Sequence, residues 1–126
     1  MADKVVHFEI PFDDGERALA FYKGVFDWDI QSMPDLSYNM VSTGPTGDVG
    51  PTEPGYIGGG MLERQDPVTV PVIVIQVDDI DATLAAIEAG GGSTMRGRER
   101  VADMGFAAYF TDSEGNLAGL WESAAS

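Results

Sequence analysis

The sequence predicts an α+β fold made of two copies of a β-α-β-β-β module. Three observations carry this. Phe12-Asp13-Asp14 leads into a helical run at Arg17-Ala18-Leu19-Ala20-Phe21-Tyr22, and Val77-Asp78-Asp79 leads into Ala82-Thr83-Leu84-Ala85-Ala86-Ile87, at an offset of 65 residues. Each run follows an apolar stretch with the character of a strand, Val5 to Ile10 and Val72 to Val77. A later pair, Gly60-Met61-Leu62-Glu63 and Gly119-Leu120-Trp121-Glu122, shows the same kinship near the end of each half. An internal duplication of this kind predicts a shared core and equivalent positions that meet at a pseudo-twofold axis.

In chain order, Val5 to Ile10 is a strand closing at Pro11. Asp13 and Asp14 are N-cap residues, and Glu16 suits the first turn of a helix. Ala18, Phe21, Tyr22 and Val25 recur at helical spacing and predict an amphipathic helix from about Gly15 to Val25. Trp28 to Met33 and Tyr38 to Ser42 are strands joined by a turn at Pro34-Asp35. Thr43 to Gly55, rich in Gly, Pro and Thr, is a long loop, either a lid over a binding site or a mobile connection. Tyr56 to Arg64 is the next strand. Its consecutive glycines, Gly58 to Gly60, mark close approach of another backbone or a ligand. Gln65-Asp66-Pro67 is the linker.

The second module opens with the β-branched strand Val72 to Val77. Asp79 or Asp81 caps a helix running to about Ala89, and Gly90-Gly91-Gly92 ends it. Ser93 to Val101 is a polar strand whose alternating Arg96, Arg98 and Arg100 share one solvated face. Phe106 to Thr111 is a strand, Asp112 to Asn116 a hairpin loop, and Leu117 to Glu122 the last strand. The tail Ser123 to Ser126 is expected to fray. The expected architecture is a single domain over 1–126, with module one at about 4–64 and module two at about 70–123. Two four-stranded antiparallel-type sheets are expected to face each other across a central cleft.

Composition narrows the function. The chain has 126 residues, is 44% hydrophobic and contains no cysteine. It is long enough for a core without staples, and it offers no disulfide, thiolate metal site or cysteine nucleophile. The start, Met-Ala-Asp-Lys, has no apolar segment of a signal peptide. The longest apolar run, Val70 to Ile75, falls far short of the ~20 residues of a membrane span. A cytoplasmic location and no membrane partner are expected. With 21 acidic against 7 basic residues and a net charge of −14, nucleic acid is not expected as a partner. The acidity favours solubility or a halotolerant host over attraction of cationic ligands into an acidic cleft.

The motifs together resemble the vicinal oxygen chelate superfamily, which holds glyoxalases, extradiol dioxygenases and bleomycin resistance proteins. The resemblance rests on His7-Phe8-Glu9-Ile10 followed by Glu16 to Trp28, on Val77-Asp78-Asp79-Ile80-Asp81-Ala82-Thr83, and on Phe110-Thr111-Asp112-Ser113-Glu114-Gly115-Asn116-Leu117-Ala118-Gly119-Leu120-Trp121-Glu122. Its closest flavour is the branch related to lactoylglutathione lyase. Metal enzymes of the group carry ligands on the first and last strand of each module. Here the resemblance places those positions at His7, Val72, Gly60 and Gly119. Valine and glycine supply no donor, so His7 is the only candidate ligand and no metal cofactor is expected. An alternative divalent-metal site would need His7, Glu9 and a further carboxylate. Glu63 and Glu122, an odd step beyond the glycines, should face away from the cleft.

His7, the only histidine, is either a satisfied polar group or a hydrogen-bonding or acid–base group facing a ligand. Glu9 is its partner or a surface residue. The expected ligand-pocket residues are His7, Glu9, Tyr38, Met40, Gly60, Val72, Phe106, Tyr109, Gly119 and Trp121. Trp28 is a further candidate for an aromatic lining, and for all these aromatics core packing competes with pocket lining. The expected function is metal-free binding of a small organic molecule, by sequestration of a drug or metabolite or in sensing. A metal-dependent glyoxalase-like lyase, isomerase or dioxygenase is the alternative, and an interaction scaffold the third possibility. Exposed sheet edges predict a homodimer.

Overall fold

The structure, a computed structural model, describes residues 2–124. The chain divides into two compact units. The first is His7–Pro71, and the second joins the N-terminal residues through Val6 to the chain from Val72 onward. Module one was expected to begin at about residue 4. The first residues instead belong with the second unit, where the Gln76 amide donates to the Lys4 carbonyl at 2.9 Å.

The first unit carries β1 (Val5–Phe12, of which Val5 and Val6 lie in the second unit), α1 (Gly15–Phe26), β2 (Asp29–Met33), β3 (Tyr38–Ser42) and β6 (Gly58–Glu63). A 3₁₀ turn, Pro34–Leu36, fills the predicted turn between β2 and β3. The strand order is β2-β3-β6-β1. The predicted antiparallel-type sheet is instead mixed. β2–β3 and β3–β6 are antiparallel, but β1 and β6 run parallel, with Glu9 paired to Gly60. The physical reason is α1: a helical crossover returns the chain to its starting end, so β2 points the same way as β1, and the two antiparallel steps from β2 through β3 leave β6 parallel to β1. Asp14 caps α1 by accepting from the Arg17 amide at 3.1 Å. The helix packs the half-buried Ala18, Leu19 and Tyr22 against a core of Phe8, Ile10, Phe12, Ile30, Val41 and Met61.

The strand β1 runs past Pro11 to Phe12, whose carbonyl accepts from the Arg64 amide at 2.8 Å. Tyr56 and Ile57, expected in β6, precede it. Tyr56 donates its hydroxyl to the Pro45 carbonyl instead. The 43–55 segment contains a two-strand ribbon, β4 (Thr46–Gly47) with β5 (Gly50–Pro51). It is fastened by Thr43 Oγ1 donating to the Ile57 carbonyl at 2.8 Å.

The second unit repeats the plan: β7 (Val72–Gln76), α2 (Ile80–Ala89), β8 (Ser93–Val101), β9 (Gly105–Thr111) and β10 (Leu117–Ser123), in the order β7-β10-β9-β8. Its sheet is mixed for the same reason, with β7 and β10 parallel. Asp79 caps α2 through the Ala82 amide at 3.0 Å. Ile80 and Leu84 pack on Val77, Ala108, Phe110, Ala118 and Leu120. Ser123 ends β10, and the last two residues of the tail expected to fray lie outside the described residues. Among the described residues no helix is long and apolar enough to cross a membrane.

Candidate functional site

Strand parity sorts the candidates. In β1, Phe8, Ile10 and Phe12 turn toward α1. The alternating residues His7 and Glu9 therefore point to the helix-free face. Gly58 and Gly60 of β6 pair with His7 and Glu9, and Met40 of β3 pairs with Gly60. Tyr38 lies two residues before Met40 and shares its face.

These residues converge. The Tyr38 hydroxyl donates to Glu9 Oε2 at 2.7 Å, and His7 Nε2 lies 2.8 Å from the same hydroxyl oxygen. The His7 and Tyr38 rings are nearly parallel, at an interplanar angle of 17°. Glu9 is only 6% exposed. Glycine at position 60 makes this possible, because a methyl group there would overlap the Tyr38 hydroxyl. Burial lowers the His7 pKa below its ordinary value, and the Glu9 charge offsets part of that. Burial thus favours the neutral imidazole. Of the two readings left open for Glu9, this is the first: it joins His7 through the Tyr38 hydroxyl. Tyr38 as the bridge was legible only as an aromatic on the right face, since it stands 29 and 31 residues from its partners.

The second unit holds the equivalent register with different chemistry. Val74, at the 65-residue equivalent of Glu9, pairs with Gly119, and Gly119 pairs with Tyr109. A Cβ at Gly119 would lie 3.2 Å from Val74 Cγ2 and 3.4 Å from Tyr109 Cε1, close enough that the valine would have to yield by a few tenths of an ångström. Val72 is buried at the start of β7, and Trp121, two residues beyond Gly119, shares its face. Phe106 does not belong with them. It packs on the α2 side with Ala108 and Phe110, three residues and therefore one face away from Tyr109. The Arg98 guanidinium lies 3.5 Å from its ring centroid and that of Arg100 4.8 Å. Trp28 likewise stacks on Tyr22 at 4.8 Å in the α1 core. Glu122 also turns to the helix side, where it accepts from the Ile80 amide at 2.9 Å and pairs with Arg98 at 2.9 Å.

Among the described residues no three His, Asp or Glu side chains gather as a metal-ion set. His7 and Glu9 both address the Tyr38 hydroxyl, and that hydroxyl occupies the space above Gly60. The residues present on this face do not fit a divalent-metal centre.

Comparison with known proteins gives the family. Residues 4–44 match the family described as Bleomycin resistance protein-like N-terminal. A glyoxylase-like domain-containing protein of Didymella fabae is 31% identical over 118 residues, covering 86% of this chain and 84% of that protein. The provisionally named glyoxylase CFP32 of Mycobacterium tuberculosis is 28% identical over 119 residues. There the match covers 87% of this chain but only 42% of the length of CFP32. Among solved structures, Streptomyces coelicolor methylmalonyl-CoA epimerase in complex with 2-nitronate-propionyl-CoA superposes with a TM-score of 0.65 at 20% identity, covering 99% of this chain and 97% of the other. A Bacillus halodurans protein, BH1468, also reaches 0.65, at 16% identity, over 98% of this chain and 96% of its own. This chain belongs to the glyoxalase/bleomycin-resistance family of the vicinal oxygen chelate superfamily.

Proposed function

We propose that this protein binds a small organic molecule on the helix-free face of its first unit without a catalytic metal, as a sequestering or sensing protein. One observation carries the reading: Tyr38 sits over Gly60 and engages both His7 and Glu9. A donor side chain at position 60 would have to displace the tyrosine. The only imidazole already directs one nitrogen to a phenol. Ligand recognition then falls to a few fixed polar groups beside apolar surface such as the exposed Met40, the usual make-up of a small-molecule site. The superposed epimerase binds a CoA ester, which shows that this fold accommodates organic ligands in that protein. The equivalent face of the second unit, with Val72, Tyr109, Gly119 and Trp121, is the apolar counterpart.

The decisive experiment is metal stoichiometry after exposure of the purified protein to Ni²⁺, Zn²⁺ or Mn²⁺. The expected result is no tight binding. One ion per chain, lost in His7→Ala, would overturn the metal-free reading in favour of a glyoxalase-like lyase, isomerase or dioxygenase. We further propose a cytoplasmic homodimer, supported by the exposed Phe21, Val25 and Phe26 of α1. Sedimentation at micromolar concentration showing the 13.4 kDa monomer would refute the dimer.

A further inference from the structure

We propose that the site selects an uncharged organic ligand presenting an O–H or N–H, which donates to His7 Nδ1, and that it rejects anions. This rests on the metal-free binding reading and specifies its ligand class. The single Tyr38 hydroxyl proton goes to Glu9 Oε2. The phenol oxygen can then only accept from His7 Nε2, 2.8 Å away, so Nε2 carries the imidazole proton. In the neutral ring the other nitrogen, Nδ1, is a bare lone pair. Among the described residues Nδ1 has no hydrogen-bond partner, and no buried side-chain nitrogen or oxygen goes unpartnered, so Nδ1 reaches solvent. A ligand meeting this face encounters an acceptor fixed in orientation by the Tyr38–Glu9 chain.

An acceptor of this kind discriminates by chemistry. A phenol, alcohol or azole N–H completes the chain from ligand to Nδ1 and from Nε2–H through Tyr38 to Glu9. A carboxylate or phosphate places a lone pair against a lone pair. It also approaches a buried acid in a protein of net charge −14. An ether of the same shape fits but gains no hydrogen bond.

The test uses the whole chain labelled with ¹⁵N-histidine, in which His7 supplies the only imidazole signals. At pH 7.5 the expected spectrum has a protonated Nε2 and an unprotonated Nδ1. 4-Ethylphenol should shift Nδ1 at least tenfold more strongly, at equal concentration, than 4-ethylanisole or 4-ethylbenzoate. Tyr38→Phe should leave a mixture of tautomers and erase the preference. A predominantly Nδ1-protonated ring would overturn the inference while leaving the binding reading intact. So would equal responses to the phenol and its ether, or a response to the benzoate matching the phenol. If no probe perturbs any residue of this face, the binding reading itself fails and the inference with it. Should Tyr38→Phe fail to fold, the wild-type tautomer and the probe ratios decide the matter.

Discussion

The two units share one register and differ in what stands on it. Glu9 pairs with Gly60 in the first, and Val74 pairs with Gly119 in the second. In the first, Tyr38 reaches over the glycine to bridge His7 and Glu9. In the second, Tyr109 lies directly across from the glycine, beside an aliphatic neighbour. One backbone plan thus carries a histidine–tyrosine–carboxylate chain in one copy and a mainly aliphatic and aromatic set in the other. The lesson is that duplication fixes where side chains converge, while a few substitutions decide whether the place is chemical or structural.

Adding one methyl group to each glycine tests this contrast most severely. Gly60→Ala puts a Cβ into the Tyr38 hydroxyl, so the tyrosine must leave and Glu9 loses that donor. Overpacking and a lost hydrogen bond to a buried carboxylate together cost about 2–4 kcal/mol. Gly119→Ala meets Val74 Cγ2 at 3.2 Å and needs only a small adjustment, costing less than about 1 kcal/mol. Urea midpoints of the two variants at constant m separate the cases. Equal losses would mean the polar chain contributes nothing special.

The polar chain can also be converted to resemble its apolar counterpart. Tyr38→Phe alone leaves the Glu9 carboxylate short of a donor and should cost about 1–3 kcal/mol. Glu9→Leu alone removes the phenol's acceptor. The double variant removes both and should be less destabilised than the sum of the singles by about 1 kcal/mol or more. A double-mutant cycle by chemical denaturation reads this coupling. Additivity would show that the two groups, though 2.7 Å apart, do not act together.

Much of this contrast was legible from sequence, and its key contact was not. Periodicity of two placed His7 and Glu9 on one face, the 65-residue offset pointed from His7 to Val72, and the match of Gly60-Met61-Leu62-Glu63 with Gly119-Leu120-Trp121-Glu122 pointed to the glycine pair. These are local or repetitive properties that a sequence displays directly. The parallel pairing of β1 with β6 was missed, because the sense of a crossover depends on the path of a helix through space. Phe106 was misassigned because aromaticity outweighed parity: three steps from Tyr109 put it under α2. The Tyr38–Glu9 bond was out of reach, since nothing local in either strand encodes a partner 29 residues away.

The units should also part company in pH dependence. His7, with its pKa lowered by burial, binds its proton less readily folded than unfolded. The unfolded chain therefore takes up protons first as pH falls, and stability declines from about pH 6.5, the unfolded value, down through the lowered folded one. In the second unit Glu122 is held below the usual carboxylate range chiefly by its hydrogen bond to Arg98. Asp112 is held low by the amides of Asn116 and Glu114. Their contribution is present above the unfolded carboxylate values near 4 and is lost as pH falls below them. Stability measured from pH 8 to 3 should show two declines, and His7→Gln should abolish only the upper one. In Glu9→Gln the His7 pKa should fall further, because the neighbouring charge now raises it. An unchanged or higher value by NMR titration would contradict the raising effect assigned to the Glu9 charge.

The smallest contrast lies at the helix ends. α1 closes with Asp27 in the left-handed region, at φ 60°. α2 closes with Gly90 at φ −88° and leaves the positive angle, φ 102°, to Gly91. A left-handed conformation strains any residue with a Cβ, least of all Asp and Asn, and costs glycine nothing. Asp27→Gly should therefore relieve strain at α1, against the greater backbone entropy that glycine gives the unfolded chain. The net gain should be about 0.5 kcal/mol. The reverse change at α2, Gly91→Asp, should lose about 1 kcal/mol. Opposite signs in thermal unfolding would confirm that backbone conformation sets the effect. If Asp27→Gly destabilised the protein, the Asp27 side chain would have to contribute more at this cap than its backbone strain costs.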